Sequence, residues 1–339
     1  MKPLPTLADV ACLAQVSTAT VSRVLNAPDR VREETRRRVQ EAVAQLGYTP
    51  NFGARALASN RTRTVGAVIP TMENAIFARG LQALQEELAR ADVTLLVATS
   101  NYDPAREEAQ IRTLLGRGVE GLVLIGEERE AHVYDLIRQR GIPAVLVWTW
   151  RADCPWPCVG FDNRASARSI AERALALGHR RIAMIAGVTA GNDRARQRVE
   201  GVREALEAAG LRLDGDLLVE AEYSLAAGRD AALGLLARRP RPTALVCGND
   251  VLAAGAVAAA REAGLDVPGD VSVSGFDDID LAKVVYPPIA TVHVPHRRMG
   301  LSAARLLLAL DAGERRPESR RFDTEIVEGG SLGPAPAER

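Results

Sequence analysis

Two short segments near the N-terminus place apolar residues on one face at helical spacing. The first predicted helix covers residues 7–14, and Thr6 with Asp9 three residues later forms a capping-box start. A two-residue turn follows, after which Ser17 is placed to cap a second predicted helix that covers residues 18–25. Two short helices joined by a tight turn are typical of a helix-turn-helix that binds the major groove of DNA.

The second helix leaves small and polar residues on its outward face, namely Thr18, Ala19, Ser22 and Arg23. Small residues at the start of the helix allow a close approach to the bases, and an arginine can donate two hydrogen bonds to guanine O6 and N7. We therefore expect Arg23 to read guanine. An ordinary helical hairpin is the alternative for this segment taken alone.

A third predicted helix covers residues 33–46, where apolar residues recur at helical spacing up to Gly47. Residues 51–59 follow as a short alanine-rich segment with basic residues nearby. A segment of this length is too short to form a stable helix unaided, so we interpret it as a linker.

From residue 64 onward, apolar runs alternate with amphipathic helices. The predicted strands are 65–70, 93–99, 121–125, 144–148, 181–186, 216–220, 243–247 and 271–276. Buried strands joined by helices indicate parallel sheets with right-handed crossovers, here in two tandem doubly wound units. Ligands bind beyond the carboxyl ends of the strands in such sheets, so two facing sheets predict a binding cleft.

Charge is distributed unevenly along a chain whose formal net charge is zero. Residues 1–63 carry ten Lys or Arg against five Asp or Glu, so the remainder is acidic by the same amount. A basic head on an acidic body predicts contact with phosphates at one end only.

Three polar side chains follow predicted strands and fit a cleft site. Asn249 and Asp277 each come directly after a strand, and Arg198 lies early in the helix after strand 181–186. An amide, a carboxylate and a guanidinium can hydrogen-bond a polyhydroxylated ligand from several sides. On the residues alone, capping of the following segment is an equal alternative for Asn249 and Asp277.

The N-terminal segment resembles the headpiece of the LacI/GalR family of bacterial transcription regulators. The resemblance rests on VSTATVSRVLN (16–26) and VREETRRRVQEAVAQLGYTPN (31–51), and it continues over nearly the whole chain. It implies an α/β fold class with an N-terminal all-α helix-turn-helix headpiece and a two-lobed core like that of periplasmic binding proteins, built from doubly wound parallel sheets.

The resemblance also implies the domain boundaries. A headpiece would cover 1–50, a hinge helix and linker 51–63, and an effector-binding core 64–339. Lobe 1 would comprise about 64–161 and 293–321, and lobe 2 about 162–290 and 322–335, with chain crossings near 159–163, 289–293 and 320–325. A helix over 296–312 would thus belong to lobe 1, and a strand near 323–328 to lobe 2.

In the family, the hinge segment folds on operator DNA and wedges a leucine into the minor groove at a central CpG step. Leu57 occupies that position here. The candidate DNA-binding residues are Thr6, Ser17, Thr18, Ala19, Thr20, Ser22, Arg23, Asn26, Tyr48, Asn51, Ala54, Arg55 and Leu57. The implied partners are a pseudo-palindromic double-stranded operator and a second copy of the chain.

The family places effector contacts at Arg198, Asn249 and Asp277, and aromatic residues at strand ends match its cleft-lining positions. The candidate effector-binding residues are Phe77, Trp148, Phe161, Asp162, Arg198, Tyr223, Asn249, Phe276 and Asp277. Capping of a helix is the alternative role for Asp162. A purine-binding member of the family has an arginine at the position of Asn192, so the resemblance disfavours a purine here. We therefore expect a sugar or sugar acid as effector.

Other classes of function find less support in the sequence. A solute-binding transport protein would lack the fused headpiece and carry a signal sequence, so we expect a cytoplasmic, nucleoid-associated protein without membrane contact. Motifs for nucleotide binding or for a serine nucleophile are missing, which argues against an enzyme and against a cofactor. Cys154 and Cys158 have no second ligand pair, so we expect reduced thiols and no metal site.

Overall fold

The computed structural model describes residues 4–49, 53, 56, 61–73, 75–213, 215–314 and 318–337. The chain divides into two compact units, Met1–Thr62 and Arg63–Arg339. No helix in the described ranges is long and apolar enough to cross a membrane.

The first unit contains three helices, α1 (Leu7–Leu13), α2 (Thr18–Asn26) and α3 (Glu33–Leu46), with a short 3₁₀ turn at Pro28–Arg30 within its described residues. The predicted caps are confirmed. Thr6 and Asp9 form a reciprocal capping box, and Ser17 Oγ accepts a hydrogen bond of 3.1 Å from the backbone amide of Thr20. Gly47 ends α3 in the left-handed conformation, with a φ of 61°.

The three helices of this unit share a small apolar core, and an arginine fixes the turn between the first two. Valine side chains from all three helices form the core, including the fully buried Val10, Val21 and Val39. Arg38 Nη2 donates a hydrogen bond of 2.8 Å to the carbonyl of Ala14, at the turn between α1 and α2. Arg38 therefore stabilises the turn.

The second unit begins with a parallel sheet of strand order β11-β5-β4-β3-β1-β2. Its strands are β1 (Thr64–Ile69), β2 (Thr94–Thr99), β3 (Gly121–Ile125), β4 (Ala144–Val147), β5 (Cys158–Gly160) and β11 (Arg320–Arg321). Four helices accompany this sheet, namely α4 (Ala75–Arg90), α5 (Pro104–Gly116), α6 (Ala131–Arg140) and α12 (His296–Asp311). Every residue of β1 is buried, as expected for a parallel strand covered on both faces.

A second parallel sheet has the order β7-β6-β8-β9. Its strands are β6 (Ile182–Gly187), β7 (Leu218–Ala221), β8 (Ala244–Cys247) and β9 (Ser272–Ser274). Its helices are α7 (Asn163–Ala176), α8 (Asp193–Ala208), α9 (Leu225–Leu236), α10 (Asp250–Glu262) and α11 (Asp280–Val284). β10 (Thr291–His293) pairs antiparallel with β12 (Glu325–Val327).

The fold class is the one predicted, and the predicted strands of the core begin and end within two residues of the observed ones. The elements that were not predicted are β5, β10, β11 and α11. Each is only two to five residues long, which is too short for hydrophobic periodicity to mark it. β10 and β11 acquire their conformation by pairing with β12 and β5, which lie far away in sequence.

Candidate functional site

A narrow cavity lies between the two sheets, beyond the carboxyl ends of their strands. It is lined by Ile76, Phe77, Tyr102, Trp148, Asn192, Arg194, Arg198, Tyr223 and Asp277. Phe77, Trp148, Arg198, Tyr223 and Asp277 belong to the effector-binding set predicted from the sequence. The structure thus brings five of those residues to a single cavity.

Asp277 has the most unusual environment in this cavity. Its side chain is fully buried, and neither carboxylate oxygen has a hydrogen-bond partner among the described residues. The nearest cation is Arg198, whose Nη2 lies 3.8 Å from Oδ1. Burial raises the pKa of Asp277 to about 7, and Arg198 opposes that shift. A buried acceptor without a donor is costly, so this carboxyl is set to receive hydrogen bonds from a ligand.

Backbone geometry fixes the direction of the Asp277 side chain. Its φ of 107° lies in a region that non-glycine residues rarely adopt. The backbone amide of Asp277 donates a hydrogen bond of 2.9 Å to Val292, and its carbonyl lies 3.1 Å from His296 Nε2. Contacts on both sides of the residue therefore hold this strained conformation.

Arg198 is held by three neighbours that leave one edge of its guanidinium facing Asp277. Nε donates to Asn163 Oδ1 at 3.0 Å, and Nη1 donates to the carbonyl of Gly248 at 2.7 Å. The guanidinium lies 3.7 Å from the centre of the Phe276 ring, a cation–π contact. Arg198 is therefore preorganised before any ligand binds.

Aromatic rings form the wall on the side of the first sheet. Phe77 and Trp148 meet edge to face with centroids 5.3 Å apart, and Trp148 lies 5.9 Å from the His296 ring. Burial lowers the pKa of His296 to about 4, so this ring is neutral at pH 7. Apolar faces beside a buried carboxyl suit a sugar ring, which offers C–H groups on its faces and hydroxyls at its edge.

Tyr102 and Tyr223 line the cavity, with ring centroids 5.7 Å apart. A second, larger cavity of about 450 Å³, here called the outer cavity, shares these two residues. Its lining comprises Thr71, Glu73, Asn101, Tyr102, Val188, Asn192, Ala221, Glu222, Tyr223 and Ser224. Tyr102, Asn192 and Tyr223 line both cavities, so the inner and outer spaces adjoin.

Several polar contacts join the two lobes around the cleft. The backbone amide of Glu127 donates a hydrogen bond of 2.9 Å to Asp193 Oδ2. Arg196 pairs with Glu128 at 2.9 Å. Asn163 Nδ2 donates to the carbonyl of Trp148 at 2.9 Å, so the amide that holds Arg198 also contacts the opposite lobe.

Four of the predicted effector residues do not line the cavity. Asn249 and Asp162 cap α10 and α7, accepting backbone hydrogen bonds of 2.8 Å and 2.9 Å, which were the alternative roles weighed for them. Asn249 Nδ2 nevertheless has no partner among the described residues. Phe161 and Phe276 are buried, with their ring centroids 5.9 Å apart.

Sequence reasoning missed other residues of the site. Tyr102 follows β2, and Asn192 and Arg194 begin the helix after β6, so the same strand-end rule points to them. Asn163 gave no such signal. It is a buried amide at the first position of α7, and its role appears only through its two contacts.

The predicted base-reading residues of the headpiece lie on one helix. Thr18, Ala19 and Arg23 are exposed on α2. Four further candidates make local contacts, since Ser17 Oγ lies 2.9 Å from Thr20 Oγ1 and Asn26 Nδ2 donates to Ser22 Oγ at 3.2 Å. Thr6 is engaged in its capping box, and Tyr48 is half-buried against the headpiece core. Asn51, Ala54, Arg55 and Leu57 lie outside the described residues.

Comparison with known proteins agrees with this architecture. Residues 6–51 match "Bacterial regulatory proteins, lacI family", and residues 171–332 match a periplasmic binding protein-like domain. The HTH-type transcriptional regulator DegA of Bacillus subtilis is 32% identical over 93% of this chain and 94% of its own length.

Solved structures of this kind superimpose along most of the chain. The lac repressor dimer bound to operator and the anti-inducer ONPF has a TM-score of 0.85 at 26% identity, covering 98% of this chain and 100% of that one. A complex of the transcriptional regulator CelR with cellobiose has a TM-score of 0.71 at 31% identity, covering 96% and 99%. The chain belongs to the LacI family of bacterial DNA-binding transcriptional regulators.

Proposed function

We propose that this chain is a homodimeric transcriptional repressor whose affinity for operator DNA is controlled by a neutral sugar bound between the two core lobes. The domain division proposed with it is a headpiece over 1–50, a hinge over 51–63 and a core over 64–339. The observation that carries the ligand half of the proposal is the buried Asp277 carboxyl, whose two oxygens face the cavity region without a donor.

The charges around the cleft favour a neutral sugar over a sugar acid. Arg194 pairs with Asp193 at 2.7 Å, and Arg198 is engaged by Asn163, Gly248 and Asp277. Both cavity arginines are thus already compensated by protein groups. The outer cavity adds the carboxylates Glu73 and Glu222, which would repel an anion.

The dimensions of the two cavities favour a ligand with more than one ring. The inner space is narrow, whereas the outer cavity of about 450 Å³ falls within the range of small-molecule sites. Hydroxyls of one ring would donate to Asp277 and accept from Arg198. A second ring would lie against Tyr102 and Tyr223. The related regulator CelR has been solved in complex with cellobiose, which is a disaccharide.

Control of DNA binding requires that the ligand prefer one arrangement of the lobes. Sugar binding would change the angle between the lobes, destabilise the paired hinge segments and release the operator. On DNA, Leu57 of each hinge would be wedged into the minor groove at a central CpG step, and the unstacking would be offset by contacts that the bend allows.

Titration calorimetry of the full chain tests the ligand half. The panel is cellobiose, maltose, glucose, gluconate, glucose 6-phosphate and guanine. We expect heat from a neutral disaccharide and none from the anionic compounds or the purine. The Asp277→Asn variant keeps the shape of the side chain but exchanges an acceptor for a donor, so it should lose binding.

The matched control is Asp230→Asn, since Asp230 is an exposed aspartate on α9 whose side chain is 68% accessible. Its affinity should equal that of the unmodified protein. Binding of gluconate or guanine in place of a neutral sugar would overturn the proposed ligand class. Equal affinity of Asp277→Asn would overturn the proposed site.

Selection of bound sequences from a random DNA pool tests the DNA half. We expect a pseudo-palindrome with guanine at the position that Arg23 reads. Arg23→Ala should relax the preference at that base, whereas Arg37→Ala, which removes an exposed charge from α3, should leave the selected sequence unchanged. Recovery of no palindrome would contradict the proposal.

A further inference from the structure

One buried side chain contacts residues of both lobes at the inner cavity, the narrow space between the two sheets. Asn163 is the first residue of α7 and follows β5, so it lies where the chain passes from the first sheet to the helices of the second. The residue is fully buried. Buried amides are normally hydrogen-bonded through both their oxygen and their nitrogen, so the partners of Asn163 indicate what it does.

The amide of Asn163 bridges two walls of the inner cavity. Its Oδ1 accepts a hydrogen bond of 3.0 Å from Arg198 Nε, on α8 of the second lobe. Its Nδ2 donates a hydrogen bond of 2.9 Å to the carbonyl of Trp148, which follows β4 of the first lobe. Arg198 and Trp148 both line the cavity. A guanidinium only donates and a carbonyl only accepts, so these two partners fix the orientation of the amide.

Local contacts hold the backbone from which the Asn163 side chain extends. Asp162 caps α7 by accepting a hydrogen bond of 2.9 Å from the Ala165 amide. Ser166 Oγ lies 2.8 Å from Thr324 Oγ1, in the segment that leads from β11 of the first sheet to β12. The first turn of α7 is therefore attached to another segment that leaves the first sheet, and Asn163 belongs to the connection between the lobes.

On the side of the second lobe, Asn163 determines how Arg198 faces Asp277. A guanidinium is planar and rigid, so two anchored nitrogens set the direction of the third. Nε is anchored by Asn163 and Nη1 by the carbonyl of Gly248 at 2.7 Å, which leaves Nη2 3.8 Å from Asp277 Oδ1. Without the Asn163 contact, the guanidinium could turn about its remaining anchor.

On the side of the first lobe, Asn163 holds the carbonyl of a constrained residue. The backbone of Trp148 has a φ of 60°, in the left-handed region that favours glycine. Its ring packs against α4, where a Cβ added at Gly80 would overlap it, and Phe77 meets the ring edge to face. A displacement of the Trp148 backbone therefore also moves the ring that forms the cavity wall.

We propose that Asn163 is a positioning residue that couples the ligand contact of Arg198 to Trp148 in the opposite lobe, a role that rests on the ligand site proposed above. When a ligand shifts the guanidinium, the amide either moves with Nε or loses that hydrogen bond. If the amide moves and Trp148 does not, the buried Nδ2 loses its acceptor, which is costly. Ligand binding at one wall is thereby linked to the arrangement of both lobes.

A buried asparagine that only stabilises the fold is the alternative. Its removal would lower the free energy of unfolding and leave the effect of ligand on operator binding intact. Asn163→Asp separates the two roles, because it keeps one contact and loses the other. The carboxylate, held ionised by Arg198, still accepts from Nε, whereas its second oxygen faces the Trp148 carbonyl with no proton between them.

Operator binding by the full chain, with and without cellobiose, tests the coupling. Calorimetry sets the saturating cellobiose concentration for each protein. We expect cellobiose to weaken operator binding by the unmodified protein about tenfold or more, and by Asn163→Asp less than about twofold. Gln139→Glu makes the same change of amide to carboxylate at an exposed position of α6 and should retain the full effect. An undiminished effect in Asn163→Asp would overturn the proposal.

Hydrogen exchange without ligand gives a second test that does not depend on the choice of sugar. The Glu127 amide, which donates to Asp193 across the lobes, reports on their separation. We expect Asn163→Asp to speed its exchange severalfold and Gln139→Glu to leave it unchanged. Equal rates in all three proteins would overturn the proposed coupling.

The two measurements distinguish a failure of this proposal from a failure of the proposed ligand. If cellobiose does not bind the unmodified protein, the ligand class is wrong, and the exchange rates at Glu127 still decide whether Asn163 holds the lobes together. Should the buried carboxylate prevent folding, Asn163→Ala removes both contacts without adding a charge. It should show the same faster exchange and the same loss of coupling, and normal values for both would contradict the role of Asn163.

Discussion

The backbone amide of Glu127 and the carboxylate of Asp193 join the two lobes through a hydrogen bond of 2.9 Å. Glu127 follows β3 of the first sheet, and Asp193 begins α8 of the second. The other carboxylate oxygen of Asp193 is 2.7 Å from Arg194, which lines the inner cavity. The Asp193 side chain therefore contacts both the first lobe and a residue that lines the candidate ligand site.

Asp193→Ala should favour an open arrangement of the lobes. A hydrogen bond to a charged group contributes about 1.5–3 kcal/mol, so its loss would destabilise the closed arrangement relative to the open one by about that amount. We expect faster hydrogen exchange at the Glu127 amide and a larger radius of gyration in solution scattering. Asp216→Ala, which removes an exposed carboxylate 53% accessible, serves as control. Unchanged exchange at Glu127 would show that this contact does not hold the lobes together.

Asp277 should make the protein less stable as the pH rises from about 4 to 7. Its pKa is raised on folding to about 7, so the folded state binds a proton more tightly than the unfolded chain and loses that advantage on deprotonation. With about 1.4 kcal/mol per pKa unit, the full effect is roughly 4 kcal/mol.

Asp277→Asn removes this titration, so chemical denaturation across that pH range should give a flatter profile than for the unmodified protein. Some slope will remain, because burial is the largest cause of the raised pKa of Asp250, and the variant removes only the smaller contribution of the Asp277 charge. Parallel profiles for the two proteins would show that Asp277 titrates normally and that the cleft is more hydrated than its burial indicates.

His179 should have the opposite pH signature. Its ring nitrogens lie 3.0 Å from Thr243 Oγ1 and 3.0 Å from the carbonyl of Gly333, and burial lowers its pKa. The stability that it contributes is present above pH 6.5 and is lost as the pH falls through the folded-state pKa. The C-terminal segment near Gly333 is thereby attached to the second lobe.

His179→Ala should lower the free energy of unfolding by about 2 kcal/mol or more, since it leaves buried polar partners unsatisfied. His132→Ala removes an exposed histidine that pairs with Glu108, and should cost about 0–1 kcal/mol. Equal losses in the two variants, measured by urea denaturation at pH 7.5, would contradict the structural role of His179.

Gly300→Ala should disrupt the contact between α4 and α12. A Cβ at residue 300 would overlap the carbonyl oxygen of Gly80, a backbone atom that cannot move aside cheaply. Overpacking of this kind costs about 1–3 kcal/mol. Gly234→Ala is the control, because a Cβ there meets no atom within 4 Å and Gly234 lies inside a helix.

Alanine should be stabilising by up to about 1 kcal/mol at residue 234, because glycine is the poorer helix former. The measurement is thermal unfolding, in which Gly300→Ala should lower the midpoint temperature and Gly234→Ala should keep or raise it. A neutral effect of Gly300→Ala would mean that the two helices are free to move apart.

The headpiece was predictable because its determinants are local. Thr6, Asp9, Ser17 and Gly47 define helix ends through contacts within a few residues, and all four have the predicted role in the structure. Likewise, alternating buried strands and helices specify a doubly wound core, since a parallel sheet needs apolar runs and crossover helices. β10 and β11 were not predicted from the sequence, because they are strands through pairing with distant segments of the chain and not through a pattern of their own.

By itself, the sequence determined the longer helices and strands, the fold class and several of the polar residues that follow the strands. The tertiary structure alone decided which of these residues meet. It places Asp277 and Arg198 in the cavity, directs Asn249 Oδ1 to a helix cap and adds Tyr102, Asn192 and Arg194 to the site. A strand-end position fixes the edge of the sheet at which a side chain lies, whereas its direction depends on the opposite lobe, which closes from a distant part of the chain.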